Sequence, residues 1–99
     1  MIAQLAHHWA LPDKLEEANA MLLENGRAMR AFPGFIARQT LISESDPLKI
    51  TTVIVWRAKE DHQAWLDSPE RKARAGSGGA GSLWSRPVEA EYCQVIPEA

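Results

Sequence analysis

The chain reads as an α+β protein of the ferredoxin-like kind, with elements in the order β-α-β-β-α-β around one antiparallel sheet. Three observations predict this: a half-alternating start, a central pair of β-branched runs split by a turn cluster, and two helical-period stretches that separate these strands from the first and the last. Its 99 residues, 45% hydrophobic and 24% charged, suit a single globular domain over residues 1–99.

Ile2 to Leu11 forms the first strand, with Leu5, His7, Trp9 and Leu11 on one face and Gln4, Ala6, His8 and Ala10 on the other. The bulkier set, His7 included, is expected to point toward the helices, and His8 away from them. Pro12-Asp13 opens the first helix, with Asp13 as N-cap and Glu16 completing a capping box, while Leu15, Ala18, Leu22, Met29 and Phe32 recur at helical spacing. Gly26 within that pattern costs about 1 kcal/mol relative to alanine.

Phe32-Pro33-Gly34 stops this helix, since proline cannot continue the ladder and glycine accepts a left-handed turn. Phe35 to Ser43 and Ile50 to Trp56 follow as a hairpin joined through Glu44-Ser45-Asp46-Pro47. From Lys59 the period is helical again, and Ser68-Pro69 breaks this second helix with a new cap. Gly76 to Ser82 has loop composition, and Pro87 to Ile96 supplies the last strand. The loop formally contains GxGxxG, but no helix follows it to hold a pyrophosphate.

A sheet with helices on one face leaves the other face to be covered, and a second copy of the same sheet predicts a homodimer. The net charge of −2 argues against nucleic acid as a partner. Cys93 is the only cysteine, which suits a reducing compartment, and no apolar run reaches the length of about 18 residues that a membrane span needs. A cytoplasmic protein with no membrane association is expected.

Four tryptophans are many for this length. Trp9, Trp56 and Trp65 are expected to line one apolar crevice between sheet and helices, the usual form of a small-molecule site, with His62 at its rim. His7 is the candidate general base, because an imidazole exchanges protons near neutral pH. Arg74, nine residues after Trp65, is placed to turn back toward the crevice. No HxxxH or carboxylate–histidine cluster is present, so no protein-built metal site is expected.

The segments Phe32-Pro33-Gly34-Phe35, Val55-Trp56, Asp61-His62-Gln63-Ala64-Trp65-Leu66 and Ser68-Pro69 resemble the antibiotic biosynthesis monooxygenase (ABM) domain family over nearly the whole chain. The resemblance implies a dimeric α+β barrel built from two ferredoxin-like units. Its heme-degrading branch carries an Asn on strand one, a Trp on helix two and a His ligand nine or ten residues later. Trp65 matches that Trp, His7 falls at the Asn, and Arg74 and Ala75 fall where the His would be. A guanidinium cannot ligate iron, so heme binding would need another ligand, His7 or His62.

The cofactor-free branch resembles this chain at Trp56 and in the basic residues near helix two, with Thr52 in place of its strand-three Asn. That branch implies a monooxygenase using dioxygen on an aromatic, quinol-type substrate without a cofactor. By this analogy His7 is the base, Arg74 holds the anion, Trp56 and Trp65 form the walls, and Phe35 and Thr52 join them as substrate-binding residues. The alternatives are heme chemistry with an altered ligand and a non-catalytic small-molecule-binding module.

Overall fold

A computed structural model describes residues 1–77 and 83–98 of the chain. Strand β1 (Ile2–Trp9) leads through a 3₁₀ turn (Pro12–Lys14) into helix α1 (Leu15–Met29). Strands β2 (Phe35–Ile42) and β3 (Lys49–Trp56) form a hairpin, helices α2 (Lys59–Leu66) and α3 (Pro69–Ser77) follow, and β4 (Glu89–Gln94) ends the fold. The sheet is antiparallel throughout, in the order β2-β3-β1-β4. The predicted α+β, ferredoxin-like class is therefore observed.

The local signals that set these boundaries are visible at atomic level. At Phe32-Pro33-Gly34-Phe35, proline fixes the second turn position and Gly34 takes φ 85° at the third, while the Phe35 N–H donates to the Phe32 carbonyl at 3.2 Å. Any side chain at Gly34 would also collide with the Asp61 carboxylate, so turn and helix α2 meet there without a gap. Ser68 Oγ accepts the Arg71 N–H at 3.1 Å and donates to the Trp65 carbonyl at 2.6 Å, joining the end of α2 to the start of α3. In the hairpin loop, Asp46 Oδ1 accepts the Leu48 N–H at 3.2 Å.

Two expectations fail locally. The capping box at Asp13 and Glu16 does not form: Asp13 sits inside the 3₁₀ turn and α1 begins after Lys14 with no side-chain cap. The helical period persists through Gly76 and Ser77, which belong to α3, and the remainder of the glycine-rich segment, 78–82, lies outside the described residues.

The core lies between the sheet and the helices as two clusters. One contains Ile2, Met29, Ile54, Trp56 and Trp65, with Phe32, Phe35 and Leu66 packed against it; the other contains Ala10, Ala18, Leu22 and Ile50, with Leu15 and Trp84 alongside. Position 2, 6 and 10 side chains of the first strand are buried under the helices, as are Ile50, Thr52, Ile54 and Trp56 of β3. Leu5, His7 and Trp9 stand on the opposite face. The expected orientation of β1 is thus reversed, for a steric reason. Helix α1 packs closely on this face where Ala18, fully buried, shares a cluster with Ala10 and Ile50, and a bulky side chain at position 10 would hold the helix off. Among the described residues no helix is long and apolar enough to cross a membrane.

Candidate functional site

The reversal divides the residues expected to share a crevice. His7 is on the helix-free face, where its Nδ1 meets Thr51 Oγ1 at 2.8 Å, and Trp9 lies near it with the Arg86 guanidinium 3.7 Å from the indole centre. Trp56 and Trp65 are inside the core on the other side of the sheet. Trp56 is fully buried, edge-on to Phe35 at 5.7 Å, and Trp65 meets Phe32 edge-on at 5.1 Å. Thr52 is buried on the helix-facing side of β3, paired in register with Ala6 and Thr40. The three indoles and His7 are therefore not brought around one hollow.

His62 is buried against the Trp56 ring, with ring centres 5.7 Å apart, and shares a 2.5 Å hydrogen bond with the Tyr92 hydroxyl. Burial, aided by the nearby Arg71 charge, holds its imidazole below the ordinary histidine value. Trp56 Nε1 finds no hydrogen-bond partner among the described residues. Arg74 lies within α3, but its side chain is outside the described residues. Neither His7 nor His62, the imidazoles a heme reading would use, lines the cavity described next.

That cavity, of about 540 Å³, opens between α1, α3, the outer half of β1 and the segment leading into β4. Met21, Leu22 and Asn25 form one wall, Trp84 and residues 85–88 the other, with His8 at the floor and Arg71 at the side. His8 is there because it shares parity with Ala6 and Ala10. Its ring stacks obliquely on Trp84 at 5.1 Å, and Nδ1–H donates to the Ile50 carbonyl at 3.2 Å. That bond fixes the neutral tautomer and leaves the lone pair on Nε2. Burial is the largest influence on this imidazole and lowers its pKa; the Ile50 bond opposes, while the charges of Arg38 and His7 push it lower still.

Asn25 adds a second unusual group. Its Nδ2 reaches only the Met21 sulfur, at 3.4 Å, and its buried Oδ1 has no partner among the described residues. A buried amide oxygen left without a donor costs about 1–3 kcal/mol, and this one is sealed from solvent beside the cavity wall. Among the described residues no group of three or more His, Cys, Asp or Glu is placed to hold a metal ion.

Sequence reasoning missed His8, Asn25 and Trp84. A signal for one of them was present: Ala18, Leu22, Asn25 and Met29 form a single stripe on α1, so an amide occupies a core-facing position. Trp84 lies outside any regular element, held by its bridge to Ala10, and its placement depends on tertiary structure alone.

A half-open, mainly apolar hollow with an imidazole, an amide and a guanidinium converging on it has the form of a small-molecule site. The family follows from comparison: the antibiotic biosynthesis monooxygenase model matches residues 1–75, and the chain belongs to that family. The fold is similar to Rv0793 from Mycobacterium tuberculosis, at 20% identity and TM-score 0.85 over 99% of this chain and 97% of that one. It is similar to a putative antibiotic biosynthesis monooxygenase from Nitrosomonas europaea, at 14% identity and TM-score 0.87 over 98% of this chain and 100% of that one. SnoaB from Streptomyces nogalater, a cofactor-independent oxygenase, shares 14% identity with TM-score 0.79 over 98% of this chain and 94% of that one. No curated protein matches the chain.

Proposed function

We propose that this protein is a cofactor-independent monooxygenase of a flat, acidic aromatic molecule such as an anthrone or quinol, with the His8 cavity as its active site. The observation that carries the reading is His8 itself: a neutral imidazole in the cavity floor whose Nδ1 is committed to a backbone carbonyl, so that Nε2 is available as a base. The kinship with an oxygenase that works without a cofactor supports it at the level of fold.

In this mechanism His8 Nε2 removes the proton from an acidic C–H or O–H of the substrate. Arg71 lies on the cavity wall to stabilise the resulting anion, and the Asn25 side chain forms part of the opposite wall. The anion passes one electron to dioxygen, and the substrate radical and superoxide combine into a peroxide that takes the proton back from His8. Loss of water then leaves a carbonyl at the oxidised carbon. A CH₂ becomes C=O, one oxygen atom enters the product and the other leaves as water. The apolar walls from Met21, Leu22 and Trp84 limit the sides from which water reaches the anion.

The role the sequence suggested for His7 passes to its neighbour, while Arg74, three residues beyond Arg71 on α3, remains a proposed second anion partner. The helix-free sheet face, with Leu5, Val53 and the exposed Leu41, supports a homodimer formed by two such faces. Light scattering at micromolar concentration should give twice the chain mass.

Oxygen-electrode assays over a panel of anthrones and quinols test the reading. Protein-dependent uptake is expected, reduced about 10²- to 10⁴-fold by His8→Ala and unchanged by His7→Ala. Arg71→Gln and Arg74→Gln should raise KM more than they lower kcat. No uptake with any member of the panel, or equal loss with both histidine variants, would defeat the assignment.

A further inference from the structure

A second hollow, of about 460 Å³, runs along the other side of α1, where Leu23, Gly26, Arg27 and Arg30 face Arg38 and Thr40 of β2. Leu23, Gly26 and Arg27 of the helix and Arg30 at its C-cap fall at spacings of three, one and three and so share one stripe. Three guanidiniums therefore line one groove in a chain whose net charge is negative.

Arg38 is half-buried there. One Nη donates to the Leu22 carbonyl at 2.7 Å, and the other contacts the Met29 sulfur at 3.8 Å. A guanidinium carries five N–H donors, so three find no acceptor among the described residues. Burial and the charge of Arg30 both disfavour its protonated form. Arg27 is paired with Glu24 at 2.5 Å, whereas among the described residues no carboxylate pairs with Arg30 or Arg38.

Gly26 explains how the groove is built. A methyl group at this position would stand 2.8 Å from Arg38 Nε and 3.0 Å from Cδ, so the mid-helix glycine is the seat of the guanidinium. A residue that weakens α1 is in this way tied to the position of a charge that no carboxylate among the described residues pairs with.

We propose that this groove is an anion site for a phosphate monoester, gripped by Arg38 and Arg30, with the Thr40 hydroxyl as a further donor. The class follows from charge and size. Two guanidiniums without a carboxylate partner among the described residues match the near-dianionic phosphate of neutral pH better than a single carboxylate, and planar forks suit its oxygens. The hollow exceeds a bare phosphate in volume and has Leu23 on its wall, which leaves room for an organic ester group. The site is separate from the His8 cavity and does not rest on the oxygenase reading.

Calorimetric titration of the full chain with inorganic phosphate, phenyl phosphate and acetate at constant ionic strength tests this. Saturable binding of one phosphate per chain is expected, with Kd on the order of 1 mM or below, phenyl phosphate binding at least as tightly and acetate at least about tenfold more weakly. Arg38→Gln should weaken phosphate by about tenfold or more, the loss for a charge-assisted donor. Gly26→Ala should do the same by displacing that guanidinium while keeping a good helix former in α1, and Arg30→Gln, at an exposed position, should weaken binding without altering the fold. Absence of saturable phosphate binding would overturn the proposal, as would binding that survives all three substitutions or that is lost instead with Arg71→Gln.

Discussion

Replacing Trp65 with alanine separates a core residue from a pocket wall. Trp65 is 3% exposed, meets Phe32 edge-on at 5.1 Å, and sits in the cluster of Ile2, Met29, Ile54 and Trp56. Truncating a buried tryptophan costs about 3–5 kcal/mol, including about 0.5–1.5 kcal/mol from the ring pair. A domain of this length has a total stability of about 5–15 kcal/mol, so at least about a fifth of it is lost, and most of it if the native value is low. At about 4–8 °C per kcal/mol, Tm should fall by roughly 12–40 °C. Urea unfolding followed by far-ultraviolet circular dichroism measures the change, with Trp84→Ala as the contrasting variant, because Trp84 walls the cavity and should affect ligand affinity more than stability. A Trp65→Ala protein within about 1 kcal/mol of the parent, yet unable to bind ligand, would refute the placement of Trp65 in the core.

Gly34→Ala should destabilise by about 2–4 kcal/mol in the same assay, since it combines strain at φ 85° with a collision against Asp61. Ser68→Ala removes the cap of α3 and should cost about 1 kcal/mol, read as a shift in the urea midpoint at constant slope. Burial holds the His8 and His62 pKa values below 6.5, so between the native values and 6.5 the unfolded chain binds more protons than the folded one. Stability should therefore rise with pH through that window and decline as pH falls through it. His8→Gln should flatten the dependence, which unfolding curves from pH 4 to 8 will show.

The order of elements was legible because its signals are local. Phe32-Pro33-Gly34 encodes a turn with a positive φ, Ser68-Pro69 encodes a cap, and Glu44 to Pro47 encodes the hairpin loop; each works through its own backbone and needs no distant partner. The face of β1 was not legible in the same way. Period two sorts Leu5, His7 and Trp9 from Ala6, His8 and Ala10, but only tertiary packing, seen where Ala10 meets Ala18 of α1, decides that the second set faces the helices. Bulk was a misleading guide, since the larger side chains occupy the helix-free face. Reversing that one choice moved the candidate base from His7 to His8 and took Trp9 out of the site. Trp56 and Trp65 were read as pocket walls from their number and position, yet tertiary packing with Phe35, Phe32 and His62 fills the space beside them.

The four indole N–H groups offer the most direct test of where ligands bind. In a two-dimensional ¹H–¹⁵N spectrum, titration with an anthrone or quinol should move the Trp84 signal along a saturable curve, because Trp84 faces the hollow beside His8. The Trp56 and Trp65 signals, sealed in the core, should stay in place. Saturable shifts of Trp56 and Trp65 with a silent Trp84 would put the binding site at the opposite end of the sheet and contradict the account.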